Sequence, residues 1–231
     1  MNPNIHSTLR QLGLADACWY ALARGVARIS RGHWSLYKYR FVAQPVTTRP
    51  LCGNRGRSVD VRTEGPGIDP QQFRRRAEVL SQRFAQGAQC LAAYVAGRLA
   101  GYLWYCVGPY REDEVRASFV PGSADAAWDF DVQVFSEHQL GFAFARLWDE
   151  ANRRLHAAGI RWSISRISAF NPGSRAAHAR LGAVEIGSAV FLRCGGWQWM
   201  AATLAPFVHC SRNDQSVPQL RLAPPASGAQ A

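Results

Sequence analysis

Lysine is almost missing from this 231-residue chain. Lys38 is the only one, so arginine supplies nearly all of the 27 basic side chains set against 16 acidic ones, for a formal net charge of +11. A phosphate loop of the G-x-x-x-x-G-K-[ST] type is therefore excluded, and Gly97, Gly101 and Gly173 stand in no such motif. There is no G-x-S-x-G elbow, which leaves a serine hydrolase without its nucleophile. The six cysteines, Cys18, Cys52, Cys90, Cys106, Cys194 and Cys210, form no C-x-x-C pair and no Cys/His cluster at zinc spacing, so no metal site is expected. Cys90 and Cys106 lie in apolar, strand-like runs and are expected as buried thiols in a reducing compartment. No apolar run is long enough to cross a bilayer. The N-terminal MNPNIHSTLRQLG lacks the basic-then-apolar order of a secretory signal. The expectation is a soluble, cytoplasmic protein with no membrane span.

What is present is ordinary in amount and particular in order. An apolar content of 48% suits a globular chain, and the length suits either one large domain with a sizeable core or one domain with an added N-terminal layer. The basic surface fits either a polyanionic partner or a solvated, arginine-rich exterior. Residues 7–30 have helical periodicity, with Trp19, Leu22, Val26 and Ile29 as the apolar stripe. Ser35 to Val46 is strand-like, with Tyr37, Tyr39 and Phe41 on one face and Lys38 and Arg40 on the other. An exposed loop, 49–57, precedes a short strand at Val59 to Thr63. Asp69-Pro70-Gln71-Gln72 is a helix start whose buried face is Phe73, Ala77, Leu80 and Phe84. Two strands, Leu91–Val95 and Gly101–Tyr105, flank a turn at Gly97-Arg98. Residues 110–127 have the composition of a loop or an irregular edge strand. The segment GGWQWMAATLAPF suggests one last strand and turn, and 223–231 is Pro/Ala/Gly/Ser-rich, the composition of a disordered end. The expected divisions are 1–57 as an N-terminal helix and strand layer, 58–205 as the main domain, and 206–231 as a tail.

The most informative stretch is Trp128 to Leu192. Asp129, Asp131 and Gln133 alternate with Phe130, Val132 and Val134 at strand period. The turn SEHQLG follows. Leu140, Phe144, Leu147, Ala151 and Leu155 then recur at helical spacing until Gly159. Arg161 to Ala169 is β-rich, Asn171 and Pro172 are an N-cap and first helical residue, Gly182 ends that helix, and Val184 to Leu192 is a strand.

This order resembles the acyl-CoA-binding centre of the GNAT acyltransferase superfamily, and with the preceding hairpin LAAYVAGRLAGYLWY the resemblance covers Val59 to Leu192. In that family the strand runs into a turn of pattern Q/R-x-x-G-x-G/A, whose amides and following helix N-terminus hold the CoA pyrophosphate. With Gln139 in the lead position, Gly141 comes one residue early and Phe142 stands where a glycine is expected. With His138 in the lead, Gly141 and Ala143 fall in register. The family's later Y-x-x-x-G-F pattern corresponds to His178-Ala-Arg-Leu-Gly182-Ala183. The resemblance implies an α/β (α+β) fold with a mixed, mainly antiparallel central sheet flanked by helices and carrying an N-terminal helix-strand extension. It implies acyl transfer, acetyl above all, from CoA to an amine on a small molecule or protein.

The expected co-substrate contacts are Val134, Phe135, Gln139, Leu140, Gly141, Phe142, Ala143, Asn171 and Arg175. His178 takes the place of the family's acid for the leaving thiolate, and an imidazole can serve near neutral pH. Its alternative is a packed or surface histidine. Asp129 and Asp131, on one strand face, are candidates to accept the amine proton, or else to hydrogen-bond neighbouring strands. Glu137 is expected to face away from phosphate. Asn171 caps its helix under either reading, and Arg175 is either phosphate-facing or solvated. Acyl-CoA and an amine are the expected partners, with no specific nucleic acid, and a homodimer is left open. The rival reading is a non-catalytic GNAT-fold module that binds acyl-CoA or a polyanion.

Overall fold

The computed structural model describes residues 5–53, 55–139 and 141–225, with the side chains of 5–11 excepted. Two compact units divide the chain. The first is Met1–Gln44, Glu114–Val120 and Ser165–Ala231; the second is Pro45–Asp113 and Pro121–Ile164. They are interleaved in sequence and do not follow the expected divisions at 57 and 205.

The first unit contains α1 (Ile5–Ile29), β1 (Trp34–Pro45, its last residue in the second unit), most of β6 (Ser118–Pro121), α5 (Pro172–Arg180), β9 (Val184–Cys194), β10 (Trp197–Ala202), β11 (Val208–Arg212) and β12 (Gln219–Leu222). The second contains β2 (Val59–Glu64), α2 (Pro70–Phe73), α3 (Ala77–Ala85), β3 (Gln89–Val95), β4 (Arg98–Cys106), β5 (Tyr110–Arg111), β7 (Ala126–Val134), a 3₁₀ turn at Ser136–His138 and α4 (Ala143–Ala157). The boundary falls within β8 (Trp162–Ser168), whose residues belong to both.

Strand order in the first unit is β11-β10-β9-β1-β8, and in the second β8-β7-β4-β3-β2. Pairing is antiparallel in every ladder from β11 to β1 and from β7 to β2. The exception is made by α4, which carries the chain back so that β8 starts beside β7, with Arg161 and Trp162 N–H donating to the Asp125 carbonyl. A helix crossover of this kind yields parallel neighbours. The result is a mixed, mostly antiparallel α/β fold.

Local sequence explains most elements. In β1, Tyr39, Phe41 and Ala43 are buried while Lys38 and Arg40 take the other face. Thus β1 is an interior strand between β9 and β8, not a layer laid on a finished domain. Asp69 caps α2 through Gln71 N–H, with Pro70 as the first helical residue. The single helix expected there is broken: Arg74 turns left-handed at φ 52, and α3 starts afresh, though Phe73 and Leu80 are buried as anticipated. In α1, Gly13 interrupts the helix, and from residue 12 onward the buried residues are Leu12, Asp16 and Ala17; Leu22 and Ile29, expected in its apolar stripe, are exposed.

Residues 110–127, expected as a loop or an irregular edge strand, hold β5 and β6. The expected tail from 206 holds β11 and β12, and Ser118 at the start of β6 donates its N–H to Pro218. Cys90 and Cys106 are buried free thiols. Among the described residues no helix is long and apolar enough to cross a membrane, and no group of three or more ligating side chains could hold a metal.

Candidate functional site

In the second unit, β4 brings two large aromatics, Tyr102 and Trp104, against α2 and α3. Tyr102 lies 5.1 Å from Phe73 and Trp104 lies 5.0 Å from Phe84, ring centre to ring centre. The opposite face of β4 presents Tyr105 to Arg154 and Glu150 of α4. β7 lies beside β4, and Gly101 sets their spacing. A Cβ there would meet the Gln133 carbonyl at 2.5 Å, so only glycine permits the approach.

The β4–β7 register then slips. Tyr102 faces Gln133 but Trp104 faces Phe130, which leaves one extra residue on β7. The bulge centres on Asp131, whose φ of 50 is left-handed for a non-glycine residue. Such conformations persist where surrounding contacts over-determine them. Here those contacts are ionic. Arg75 grips both Asp131 oxygens, its Nε at 2.8 Å from Oδ2 and its Nη2 on Oδ1. Arg83 Nη1 donates to Oδ2 at 2.6 Å. Arg83 also donates to Asp113 through Nε at 2.8 Å, and the Tyr110 hydroxyl donates to Asp113 at 2.9 Å. Burial pushes the Asp131 pKa up, but the Arg75 hydrogen bond and the Arg83 and Arg75 charges outweigh it, so the carboxyl stays below its ordinary range.

The bulge also overturns an expectation. Strict alternation would place Asp129 and Asp131 on one face in one environment. Instead, Asp129 is buried and accepts a 2.6 Å hydrogen bond from the Ser163 hydroxyl of β8. Asp131 lies with Arg83, the cation that also sits over the Phe130 and Trp104 rings at 5.1 and 5.2 Å. A carboxylate held by two guanidinium groups is a weak base, so Asp131 is poorly suited to take a proton from an amine.

Beyond β7 the chain reaches the turn that should face phosphate. Val134 ends the strand, and Phe135 is buried, with its N–H on the Ala100 carbonyl and the Arg74 guanidinium 4.3 Å from its ring centre. Gln139 is exposed, and Gly141 donates its N–H to the His138 carbonyl. Leu140, expected here as a contact, lies outside the described residues.

Phe142 occupies the N-cap of α4 and offers no side-chain acceptor; Ala143 is the buried first helical residue. By contrast, the shorter α2 and α5 are capped by Asp69 and Asn171. The 15-residue α4 thus begins, among the described residues, without a side-chain cap, at the positive end of a helix dipole. Residues 51–53 and 55–57 pack against this first turn. Asp149 anchors them by accepting from Leu51 N–H at 2.6 Å and from the Cys52 thiol at 3.1 Å. Gly56, at φ +78, passes so close that a Cβ would lie 2.8 Å from Phe142 Cβ. Arg55 sits over the Phe142 ring at 5.6 Å. Glu137 is exposed and accepts from the Ser136 hydroxyl at 2.9 Å.

The remaining candidates lie in the first unit. Asn171 Oδ1 accepts from Ser174 N–H at 3.0 Å and caps α5 as expected. Arg175 is half-buried and paired: its Nη1 donates to Asp16 Oδ2 at 3.1 Å. The same carboxylate takes Lys38 at 2.8 Å and Arg40 at 2.9 Å, and Arg40 also binds Glu185 at 2.7 Å. Burial raises the Asp16 pKa, yet the Lys38 and Arg40 bonds and charges hold it below normal.

His178 is buried, its Nδ1 3.2 Å from the Gln44 amide oxygen. Burial pushes its pKa down to about 4, so near neutral pH the ring carries no spare proton. The expected role as a protonated acid does not match this environment; a packed, hydrogen-bonded histidine does. A cavity of about 360 Å³ beside α5 is lined by His178, Arg175, Arg40 and Glu185 among others.

Sequence reasoning missed Arg75, Arg83, Ser163, Asp16, Gln44 and the Arg55–Gly56 loop. None occupies a motif position, and each meets its partner across a long stretch of chain.

No family model matches the sequence, and no curated protein matches it. Solved structures do resemble the fold. A functionally unknown conserved protein from Staphylococcus epidermidis ATCC 12228 is 13% identical with a TM-score of 0.50, over 73% of this chain and 66% of that one. A tandem GNAT protein from the clavulanic acid biosynthesis pathway is 18% identical with a TM-score of 0.46, over 77% of this chain and 58% of that one. An aminoglycoside acetyltransferase from an uncultured soil metagenomic sample, in complex with sisomicin, is 12% identical with a TM-score of 0.39, over 53% and 86%. The chain spans less than two thirds of the length of the first two. At these identities the likeness is one of fold. GNAT and aminoglycoside acetyltransferases are thus among the structural neighbours of a chain whose sequence resembles that superfamily.

Proposed function

We propose that this chain transfers an acyl group, acetyl in the simplest case, from acyl-CoA to an amine. The observation that carries the reading is the start of α4. A bulged strand runs through a glycine turn into a long helix with no side-chain cap, and Arg55 stands beside the first turn. Those features fit a phosphate: helix-start amides with no cap from Phe142, a positive dipole end and an adjacent guanidinium. Acyl-CoA, as substrate, supplies the activated thioester. Gln139, Gly141, Phe142 and Ala143 would hold its pyrophosphate, with Val134 and Phe135 bordering the strand that leads there. Leu140 completes the same turn in sequence.

The chain's part in the chemistry is mainly alignment of two substrates. Asp131 is committed to Arg75 and Arg83 and keeps the bulge in place rather than moving protons. Asp129 remains the carboxylate proposed to receive the amine proton. His178 orders α5 through Gln44, so the departing thiolate takes its proton from solvent. Asn171 and Arg175 position α5 in this reading, by its cap and by the Asp16 pair. The acceptor is an amine of unassigned identity. Specific binding to nucleic acid forms no part of this reading.

The committed state of Asp131 and the neutral state of His178 favour one alternative, a module that binds acyl-CoA without turnover. Two measurements separate the readings. Replacing Gly141 with Asp puts a negative charge at the phosphate position, and acetyl-CoA affinity by calorimetry should fall at least about tenfold, roughly 1.4 kcal/mol. Unchanged affinity in a folded G141D protein rejects the phosphate turn under both readings. Release of free CoA from acetyl-CoA with a panel of amines supports transfer; tight binding with no release for any amine supports the module.

A further inference from the structure

The strand order ends on β2 in the second unit and on β11 in the first. A terminal strand exposes a row of backbone N–H and C=O groups, which natural sheets usually blunt with charge, proline or a bulge. β2 is blunted in this way, with Asp60, Arg62 and Glu64 alternating along it. β11 is not. Its sequence is VHCSR, with no proline and a single arginine at the end, and its register with β10 runs unbroken from Val208 to Arg212.

Two hydrogen bonds fix which backbone groups of β11 point outward. Ala202 N–H donates to the Phe207 carbonyl and Asn213 N–H to the Gly196 carbonyl, each at 2.7 Å. Hydrogen-bonded and non-bonded pairs alternate along an antiparallel ladder. Phe207, His209, Ser211 and Asn213 therefore turn their polar groups toward β10. Val208, Cys210 and Arg212 turn theirs away from it. The side chains of these three share the sheet face of Trp197 and Trp199, their register partners on β10 being Ala201, Trp199 and Trp197. That face is apolar and exposed. Trp197 and Trp199 stack at 6.0 Å, Val208 is 75% exposed, and Val190 and Leu192 border a groove of about 400 Å³ with Trp199 and Val208.

We propose that β11 pairs antiparallel with β11 of a second copy of this chain, about a two-fold axis at Cys210. This centre uses all three outward-facing residues. Cys210 stands opposite the partner's Cys210, and Val208 opposite the partner's Arg212. A centre at Arg212 would set two guanidinium groups against each other, and a centre at Val208 would lose the other two residues from the ladder. The Cys210 centre keeps like charges apart in a chain of net charge +11, while Arg212 stays over its own Trp197 ring at 5.7 Å. It also joins the two apolar faces into one.

The test reads self-association of the full chain by sedimentation over about 1–100 µM, the range in which a modest homodimer dissociates. Val208 is so exposed that its substitution leaves the core untouched. Val208→Lys sets an ammonium against the partner's Arg212 twice per dimer and should raise the dimer dissociation constant about tenfold or more. Val208→Glu sets a carboxylate there and should not raise it. Directly opposed residues of a hydrogen-bonded pair lie about 5.5 Å apart at Cα, within disulfide range. Diamide, which takes up the two thiol hydrogens as the S–S bond forms, should therefore link two chains. Cys210→Ser should abolish the linked band, and Cys18→Ser, at the other exposed cysteine, should keep it. A chain that stays monomeric throughout overturns the proposal. So does a dimer that ignores Val208→Lys and links without Cys210.

Discussion

The two units handle buried charge differently. In the second, Asp113, Arg83, Asp131 and Arg75 form a chain of pairs in which Arg83 is only 5% exposed and both carboxylates are nearly covered. In the first, one carboxylate, Asp16, gathers Lys38, Arg40 and Arg175, and these cations reach solvent to 13%, 23% and 34% of their side chains. The closed network fixes a backbone distortion: it sits on the left-handed residue of the β7 bulge and on α3. The open one ties helices to a strand that its own apolar face already holds. Ionic contacts therefore carry conformation in the second unit and add modest stability in the first.

Breaking the closed network should cost most. Arg83→Met leaves Asp113 and Asp131 buried without the cation between them. Removing one partner of a buried pair costs about 3–5 kcal/mol, since the other charge stays desolvated. Urea unfolding should show a loss of that size in the midpoint-derived free energy. A loss below about 1 kcal/mol would mean that the network is solvated and the bulge is held by packing.

The next largest effect is a pH dependence. The His178 imidazole binds its proton more weakly when folded, at about 4, than at its ordinary 6.5. The unfolded chain therefore takes up more protons between those values. Stability contributed by this group is complete above about 6.5, falls as pH drops, and is lost by about 4. The full span is about 3 kcal/mol. His178→Gln, which keeps a donor for Gln44, should flatten the unfolding free energy across pH 4–6.5 relative to the parent. Asp16 and Asp131, whose folded values are depressed, act below that window, so an unchanged slope in the variant would show that the imidazole is solvated.

Opening the first unit's cluster should cost less. Asp16→Asn leaves three cations side by side but partly in water, where screening weakens their repulsion. A loss of about 1–2 kcal/mol is expected, shrinking with added salt. A loss as large as that of Arg83→Met, and insensitive to salt, would erase the contrast between the units.

The same contrast explains what could be read from the sequence. Local rules worked where the cause is local. Asp69-Pro70 and Asn171-Pro172 announce helix starts, the aromatics of β1 alternate with its cations, and the α4 face closes at Gly159. The mixed sheet followed from that order and from the resemblance it carries. Local rules failed where a distant partner decides. Period-two alternation placed Asp129 and Asp131 together because it assumes an unbroken register, and the extra residue opposite Leu103 has no signature in the string WDFDVQV. Arg74 breaks its helix in the left-handed region without a glycine to announce it. Asp16 and Arg175 are 159 positions apart. His178 aligned with a family acid by its distance from Gly182, yet its ionisation is set by burial beside Gln44, which spacing does not report.

The smallest effect separates two roles of one residue. Asn171 Oδ1 accepts from Ser174 N–H and so satisfies one of the first amides of α5, a bond worth about 1 kcal/mol at such a position. Asn171→Ala should lose about that much by chemical denaturation. Asn171→Ser, which restores a capping oxygen, should recover most of it. If Asn171 only orders the helix, acetyl-CoA affinity should follow stability, falling slightly in the alanine variant and returning in the serine one. If its amide also touches the co-substrate, serine cannot replace the amide donor, and affinity should stay low after stability has recovered. Calorimetric titration of both variants distinguishes a helix cap from a ligand contact. A serine variant with restored stability and parental affinity would withdraw Asn171 from the co-substrate contacts and leave α5 held by its cap and by the Asp16–Arg175 pair.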